Sequence, residues 1–201
     1  MRVLLVALVA SVASVIASAS VPSEVGVDAR TFQGEGKATK KGDRAEAAGP
    51  FAVLATLAQT HTGERVILDT ESPTQDRFDA LLSDRATGQR APLDPRLLGL
   101  LRQLAAGHVG ARIELVSGYR SEKLNEMLRK KGHHVASHSQ HSLGNAVDFR
   151  IIPTDEKAIS PMQLEKEVRG LGWVGGIGTY MKPDDWFVHA DVGGNRRWDG
   201  Q

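Results

Sequence analysis

Two histidines and an aspartate stand at spacings that suit a bound metal ion. His141 precedes a glycine-containing bend, and Asp148 follows on a segment of alternating polar and apolar residues. His189 lies in a second alternating segment, residues 186–191. A zinc ion that keeps one position open for water or substrate typically takes three protein ligands from histidine nitrogens and carboxylate oxygens. The pattern therefore predicts a catalytic metal site formed by His141, Asp148 and His189.

Two further carboxylates near His189 are candidates for proton transfer. Strand alternation places Asp191 on the same face as His189, where it can orient a metal ligand or handle protons. We take Asp191 as the first candidate for the general base, and Asp185, brought into line by a backbone bulge, as the second. Each residue alone also has an ordinary structural interpretation, such as a solvated loop histidine or an ion-paired aspartate. Their combined pattern favours the metal site.

Composition limits the chemistry and the partners. The chain of 201 residues contains no cysteine, so disulfides, thiolate metal sites and a cysteine nucleophile are excluded. Lys and Arg number 25 against 24 Asp and Glu, so no basic surplus indicates a nucleic-acid partner. Any metal must therefore bind His, Asp or Glu.

The N-terminal region predicts export. Residues 1–19 combine an early arginine, an uncharged stretch and a small-x-small ending, which is typical of a secretory signal peptide. An uncleaved membrane anchor is the competing interpretation, but the second half of the stretch is only weakly apolar. Residues 20–49 have few large apolar side chains and no periodicity, which predicts a flexible linker. The folded domain is predicted to span residues 50–201.

The predicted elements that position these residues are mixed strands and helices. Helices are expected to begin near residues 77, 95, 122 and 161, the third with Leu124, Met127 and Leu128 facing inward. Strands are expected at 65–69, 112–116 and 145–152, followed by an antiparallel pair at 175–180 and 186–192. In the strand at 145–152, alternation places Asp148 on the exposed face, opposite the apolar side chains. This order favours an α+β fold with a mostly antiparallel sheet flanked by helices.

Three ordered motifs resemble a known superfamily. They are Ser-x-His-x-x-Gly-x-Ala-x-Asp at 139–148, Ser-Gly-Tyr-Arg-Ser at 117–121 and Phe-Val-His-x-Asp at 187–191. This set resembles the zinc D-alanyl-D-alanine metallopeptidases, a superfamily that includes the Hedgehog signalling domain. The closest resemblance is to the exported bacterial murein endopeptidase K group, and it runs from about residue 50 to the end of the chain.

The resemblance implies roles for individual residues. His141, Asp148 and His189 would be the ligands of one zinc ion per chain, Arg120 would face the substrate and Ser139 would line the site. Histidine and carboxylate ligands also suit other first-row ions, so the ligand types alone do not identify the metal. The prediction of zinc rests on the resemblance. Several relatives carry an acidic general base three residues before the last histidine, where this chain has Trp186, so the identity of the base stays open.

The resemblance also implies an activity and a location. We expect an exported hydrolase of the bacterial periplasm or cell envelope that cuts amide bonds in peptidoglycan peptide stems. The specific expectation is a cross-link endopeptidase, often acting at meso-diaminopimelate, with no stable membrane span after signal cleavage. The alternatives are a D-alanyl-D-alanine carboxypeptidase and a non-catalytic zinc-containing module that binds the cell wall.

Overall fold

The computed structural model describes residues 51–132, 138–154 and 157–200 and forms from them a seven-stranded sheet. The strands follow the order β2-β1-β3-β4-β6-β5-β7 across the sheet. The β1/β3 and β5/β7 pairs are parallel, and the other neighbouring pairs are antiparallel. The strands are β1 (Ala55–Gln59), β2 (Arg65–Leu68), β3 (Ala111–Ser117), β4 (Ala146–Ile152), β5 (Gly176–Lys182), β6 (Asp185–Asp191) and β7 (Arg196–Gly200).

Four α-helices accompany the sheet in the described part of the chain. They are α1 (Gln75–Leu81), α2 (Pro95–Gly107), α3 (Glu122–Lys130) and α4 (Pro161–Gly170). Asp94, Ser121 and Ser160 cap the last three, since each side chain accepts a hydrogen bond from a backbone N–H of the first turn. A short 3-10 helix, Gln140–Leu143, precedes β4.

The hydrophobic core lies on one face of the sheet. Alternate residues of the central strands, such as Ile113, Leu115 and Phe149, are fully buried and pack with the leucine-rich side of α2 and with α4. Burial of each large apolar side chain contributes roughly 1.5–3 kcal/mol. Because strand side chains alternate, the intervening residues project to the opposite face, where the predicted site residues lie.

The α+β class and the mostly antiparallel sheet are confirmed, and three details of the sequence analysis are wrong. Met127 is 38% exposed, because Leu124 and Leu128 alone supply the buried stripe of α3. Asp148 is buried, because the side chains of Arg120, His141 and His189 surround its carboxylate. Strands β1 and β7 were not expected, because neither Ala-Thr-Leu-Ala-Gln nor Arg-Arg-Trp-Asp-Gly shows a regular apolar alternation.

The predicted signal peptide (1–19) and linker (20–49) lie outside the described residues. Within the described part of the chain, no helix is both long and apolar enough to span a membrane.

Candidate metal centre

The three predicted ligands meet at one point on the sheet. Asp148 on β4 and His189 on β6 are directly paired across the two strands, and His141 approaches from the 3-10 helix. His141 Nε2 lies 3.2 Å from Asp148 Oδ1 and 3.1 Å from His189 Nδ1, and His189 Nδ1 lies 2.8 Å from the same carboxylate oxygen. All three side chains are buried. The sequence prediction of a His/Asp/His cluster therefore agrees with the geometry.

His141 is held in the form that binds metal. Its Nδ1 lies 2.7 Å from the carbonyl oxygen of Gly118, so Nδ1–H donates to that carbonyl and Nε2 keeps its lone pair toward the cluster. Burial and, to a lesser extent, the Arg120 guanidinium lower the pKa of His141 to about 4. The imidazole is consequently neutral near pH 7, as a metal ligand must be.

The ring of His189 is oriented through Nε2, whereas that of His141 is oriented through Nδ1. His189 Nε2 lies 3.0 Å from Asp191 Oδ2, so Nε2–H donates to that carboxylate and Nδ1 faces His141 and Asp148. Burial opposes a charge on this ring, but hydrogen bonds with Asp148 and Asp191 outweigh burial and raise its pKa. A histidine whose second nitrogen is bound by a carboxylate is a common arrangement in metal sites.

The donor set fits a zinc ion. Once both histidines donate from their outer nitrogens, three acceptor atoms converge: His141 Nε2, Asp148 Oδ1 and His189 Nδ1. Their lone pairs repel unless a cation or a proton lies among them. One atom from each residue can be chosen so that all three lie within 4.8 Å of one another, and two histidine nitrogens with one carboxylate oxygen match the ligands of open zinc sites.

Arg120 braces the carboxylate of Asp148. Its Nη2 donates to Asp148 Oδ2 at 2.5 Å and its Nε donates to Ser117 Oγ at 2.8 Å. Burial would raise the pKa of Asp148, but His141, Arg120 and His189 outweigh burial and hold that pKa well below its usual value. In the described residues the Nη1 group of Arg120 has no acceptor, so these N–H donors are available to a substrate oxygen.

Asp191, the first candidate for the base, is fully engaged. Its Oδ2 accepts from His189 and, at 2.8 Å, from Arg196 Nη2. Its Oδ1 accepts from the backbone N–H groups of Gly176 and Gly193 at 3.2 and 2.8 Å. The side chain is completely buried. A carboxylate with four donors, on the far side of His189 from the cluster, is better placed to orient that histidine than to accept a proton from water.

Asp185, the second candidate, lies at the start of β6 and is exposed. It shares a strand face with His189 without any bulge, because four residues separate the two. Four residues of strand span about 13 Å, so Asp185 lies far from the cluster along β6.

Ser139 positions His141. It caps the 3-10 helix, with its Oγ accepting from the His141 N–H at 3.3 Å, and it is buried. Gly144 ends the same helix with φ = 73°, and a side chain there would collide with the carbonyl oxygen of Pro92. The local sequence thus fixes the position of His141 from both ends of the helix.

Two contacts at the site were not predicted by sequence reasoning. Gly178 on β5 pairs with both His189 and Trp198, and its missing side chain lets the Trp198 ring reach within 5.1 Å of the His189 ring. Asp84 accepts from the Ser121 N–H at 2.6 Å and so anchors the loop that carries Arg120. Only contacts between distant parts of the chain reveal these roles.

An α+β domain with a buried His/Asp/His cluster on one face of its sheet has the features of a metal-dependent hydrolase. The chain belongs to the peptidase family whose model is described as peptidoglycan L,D-endopeptidase MepK, which matches residues 54–198. The expected relationship to the bacterial metallopeptidases is thereby confirmed, and with it the prediction of an enzyme.

Curated relatives agree with the family match. The probable peptidoglycan L,D-endopeptidase MepK of Haemophilus influenzae is 32% identical over 161 residues, which cover 75% of this chain and 81% of the relative. Peptidoglycan L,D-endopeptidase MepK of Escherichia coli K12 is 32% identical over 157 residues, which cover 74% and 81%. No solved structure matches the chain at a comparable level of significance.

Proposed function

We propose that this chain is an exported, zinc-dependent endopeptidase that hydrolyses a peptide bond in the cross-linked stems of peptidoglycan. The observation that carries the proposal is the convergence of His141 Nε2, Asp148 Oδ1 and His189 Nδ1 within 3.2 Å of one another, with the outer nitrogen of each histidine held by another acceptor. The names of the relatives supply the substrate class and the L,D specificity of the bond. The predicted signal peptide supplies the location.

His141, Asp148 and His189 would hold the zinc ion. Zinc bound there would polarise the scissile carbonyl and lower the pKa of a water molecule toward neutrality, so that no protein nucleophile is needed. The burial of all three side chains strengthens their electrostatic effect on the reacting groups.

The remaining residues have positioning and binding roles. Gly118 and Asp191 fix the two imidazole rings through their outer nitrogens. Arg120 holds Asp148 and offers its Nη1 donors to a substrate carboxylate or to the oxyanion that develops during hydrolysis. Ser139 acts through His141 rather than on the substrate. Asp185 stays a candidate for proton transfer only if the bound substrate draws the start of β6 toward the cluster.

The direct test is incubation of the purified chain with purified sacculi, with and without a chelator, followed by mass analysis of the released fragments. We expect chelator-sensitive cleavage that zinc restores, with fragment masses that identify an opened cross-link. His141→Ala should lose both bound zinc and cleavage. His108→Gln is the matched control, because His108 pairs with Glu167 away from the cluster.

Two outcomes would replace the proposal. Release of single D-alanine residues would indicate a carboxypeptidase. A chain that binds stoichiometric zinc and sacculi but releases no fragments would be a binding module.

A further inference from the structure

A groove with a volume of about 310 Å³ lies on the same sheet face as the metal centre. One row of cross-strand neighbours forms its floor: Arg65 on β2, Ala58 on β1, Glu114 on β3 and Arg150 on β4. The small side chain of Ala58 keeps the floor low between longer neighbours. Arg112, two residues before Glu114, completes the charged lining.

The groove has a surplus of positive charge. Arg112 and Arg150 each donate from Nε to a different oxygen of Glu114, at 3.0 and 2.6 Å. Burial would raise the pKa of Glu114, but these two arginines outweigh burial and keep the carboxylate ionised. Arg65 has no ion pair with any residue that the structure describes. Three arginines against one glutamate leave a formal charge of +2.

The arginines also retain unused donors. In the described residues, the terminal Nη groups of Arg112 and Arg150 have no acceptor, since Glu114 takes only the Nε–H of each. A guanidinium offers five N–H donors in a planar fork that matches the two oxygens of a carboxylate. Neutralising Glu114 needs one arginine, so the surplus indicates a further anionic ligand.

One end of the groove lies close to the metal centre along β4. Arg150 follows Asp148 by two residues on β4, so the two side chains share a face and their Cα atoms lie about 7 Å apart. An extended peptide advances about 3.3 Å per residue. A substrate with its scissile bond at the metal centre would therefore bring a side chain two residues away over Arg150.

We infer that this groove, lined by Arg65, Arg112, Glu114 and Arg150, binds a carboxylate of the peptide substrate two residues from the scissile bond. The inference rests on the proposed function for the identity of the substrate. Charge complementarity selects an acidic peptide, and the two-residue spacing of Asp148 and Arg150 places that peptide along β4. The groove thus provides substrate selectivity separate from the contact that Arg120 offers.

The test compares two synthetic stem peptides that differ at one position. One carries a free carboxylate two residues from the scissile bond, and the other carries a carboxamide there. Both kcat/KM and the Kd for the chelator-treated, non-hydrolysing protein are measured on the full chain. The variants are Arg65→Gln, which breaks no ion pair, and Arg150→Gln. Lys166→Gln, at an exposed lysine of α4 on the other side of the sheet, is the matched control.

We expect the wild-type chain to favour the carboxylate peptide by about tenfold in kcat/KM and in Kd, the size of a charge-assisted hydrogen-bond pair. Arg65→Gln should reduce the preference several-fold and Arg150→Gln should nearly abolish it, through KM rather than kcat. Lys166→Gln should keep the full preference.

Equal binding of the two peptides by the wild-type chain, or an unchanged preference in Arg65→Gln, would overturn the inference. Should Arg150→Gln fail to fold, Arg65→Gln still decides. If neither peptide is hydrolysed, the proposed function fails, while the Kd values still show whether the groove recognises a carboxylate.

Discussion

At the residue scale, hydrogen bonds to the outer atoms of the three side chains determine which atom each one turns toward the candidate metal site. Outer contacts with Gly118 and Asp191 determine the inner nitrogen that each histidine presents, and Arg120 takes one oxygen of Asp148 and leaves the other to the cluster. A metal ion would thus meet ligands that are pre-oriented before it binds. Such pre-orientation by outer contacts is worth 10–100-fold in metal affinity or activity at comparable sites.

Asp191→Asn tests whether Asp191 orients His189 or acts as a base. The carboxamide keeps the size of the side chain but weakens the acceptor for His189 Nε2–H and for Arg196. We expect zinc affinity to fall about 10–100-fold, as other outer-contact losses do, with turnover recovering when zinc is added in excess. Competition with a chromogenic chelator measures the affinity, and peptide hydrolysis measures the turnover.

The contrasting result for this variant is equally specific. Unchanged zinc affinity with turnover lost at every zinc concentration would identify Asp191 as the base. Asp184→Asn is the matched control, because its carboxylate is exposed in the turn before β6 and has no assigned role.

At the element scale, the 3-10 helix Gln140–Leu143 delivers His141 to the sheet, and its end depends on Gly144. That residue has a left-handed φ of 73°, and any Cβ would meet the backbone carbonyl of Pro92. A non-glycine residue in this conformation costs about 1–2 kcal/mol, and the collision with backbone adds to that cost. The carbonyl of Gly144 also accepts from the Asp94 N–H at 2.9 Å, which ties this bend to the start of α2.

Gly144→Ala should therefore lower the free energy of unfolding by about 2–4 kcal/mol and weaken zinc binding, because His141 moves with the helix. Gly132→Ala is the matched control: its φ is also left-handed, at 84°, but a Cβ there meets no atom of the described residues within 4 Å. Gly132→Ala should lower the free energy of unfolding by only about 1 kcal/mol and leave zinc binding unchanged. Denaturant unfolding and zinc titration check both variants, and equal losses would show that the contact with Pro92 has no energetic role.

Local patterns predicted the elements that carry the ligands but not those that enclose them. Alternation in β4 and β6 placed Asp148 opposite the apolar face and put His189 and Asp191 together, because a strand with one buried face records its orientation in sequence. The edge strand β7 has no such alternating pattern in its sequence, because it pairs only on one side and Trp198 is its single large apolar residue. The contact of Trp198 with His189 depends on Gly178, which lies on a different strand.

At the scale of the whole molecule, the hydrophobic core and the candidate site occupy opposite faces of one sheet. The helix-covered face supplies the apolar burial, while the other face gathers the charged residues of the metal centre and of the arginine groove. The predicted ligands are distant in sequence, because His141 precedes β4 and His189 lies on β6. Only the folded chain brings them together, so a metal ion that binds them would be linked to folding.

Removal of the metal should accordingly lower the thermal stability of the whole domain. A ligand that binds only the folded state, at 100 times its Kd, stabilises by about 2.7 kcal/mol. For a domain of about 150 residues this corresponds to roughly 5–10 °C in Tm. We expect a chelator to lower the Tm of the zinc-loaded chain by that amount, as followed by circular dichroism, and added zinc to reverse the shift. His141→Ala should melt at one temperature with or without chelator, whereas an equal shift in that variant would place the stabilising metal elsewhere in the chain.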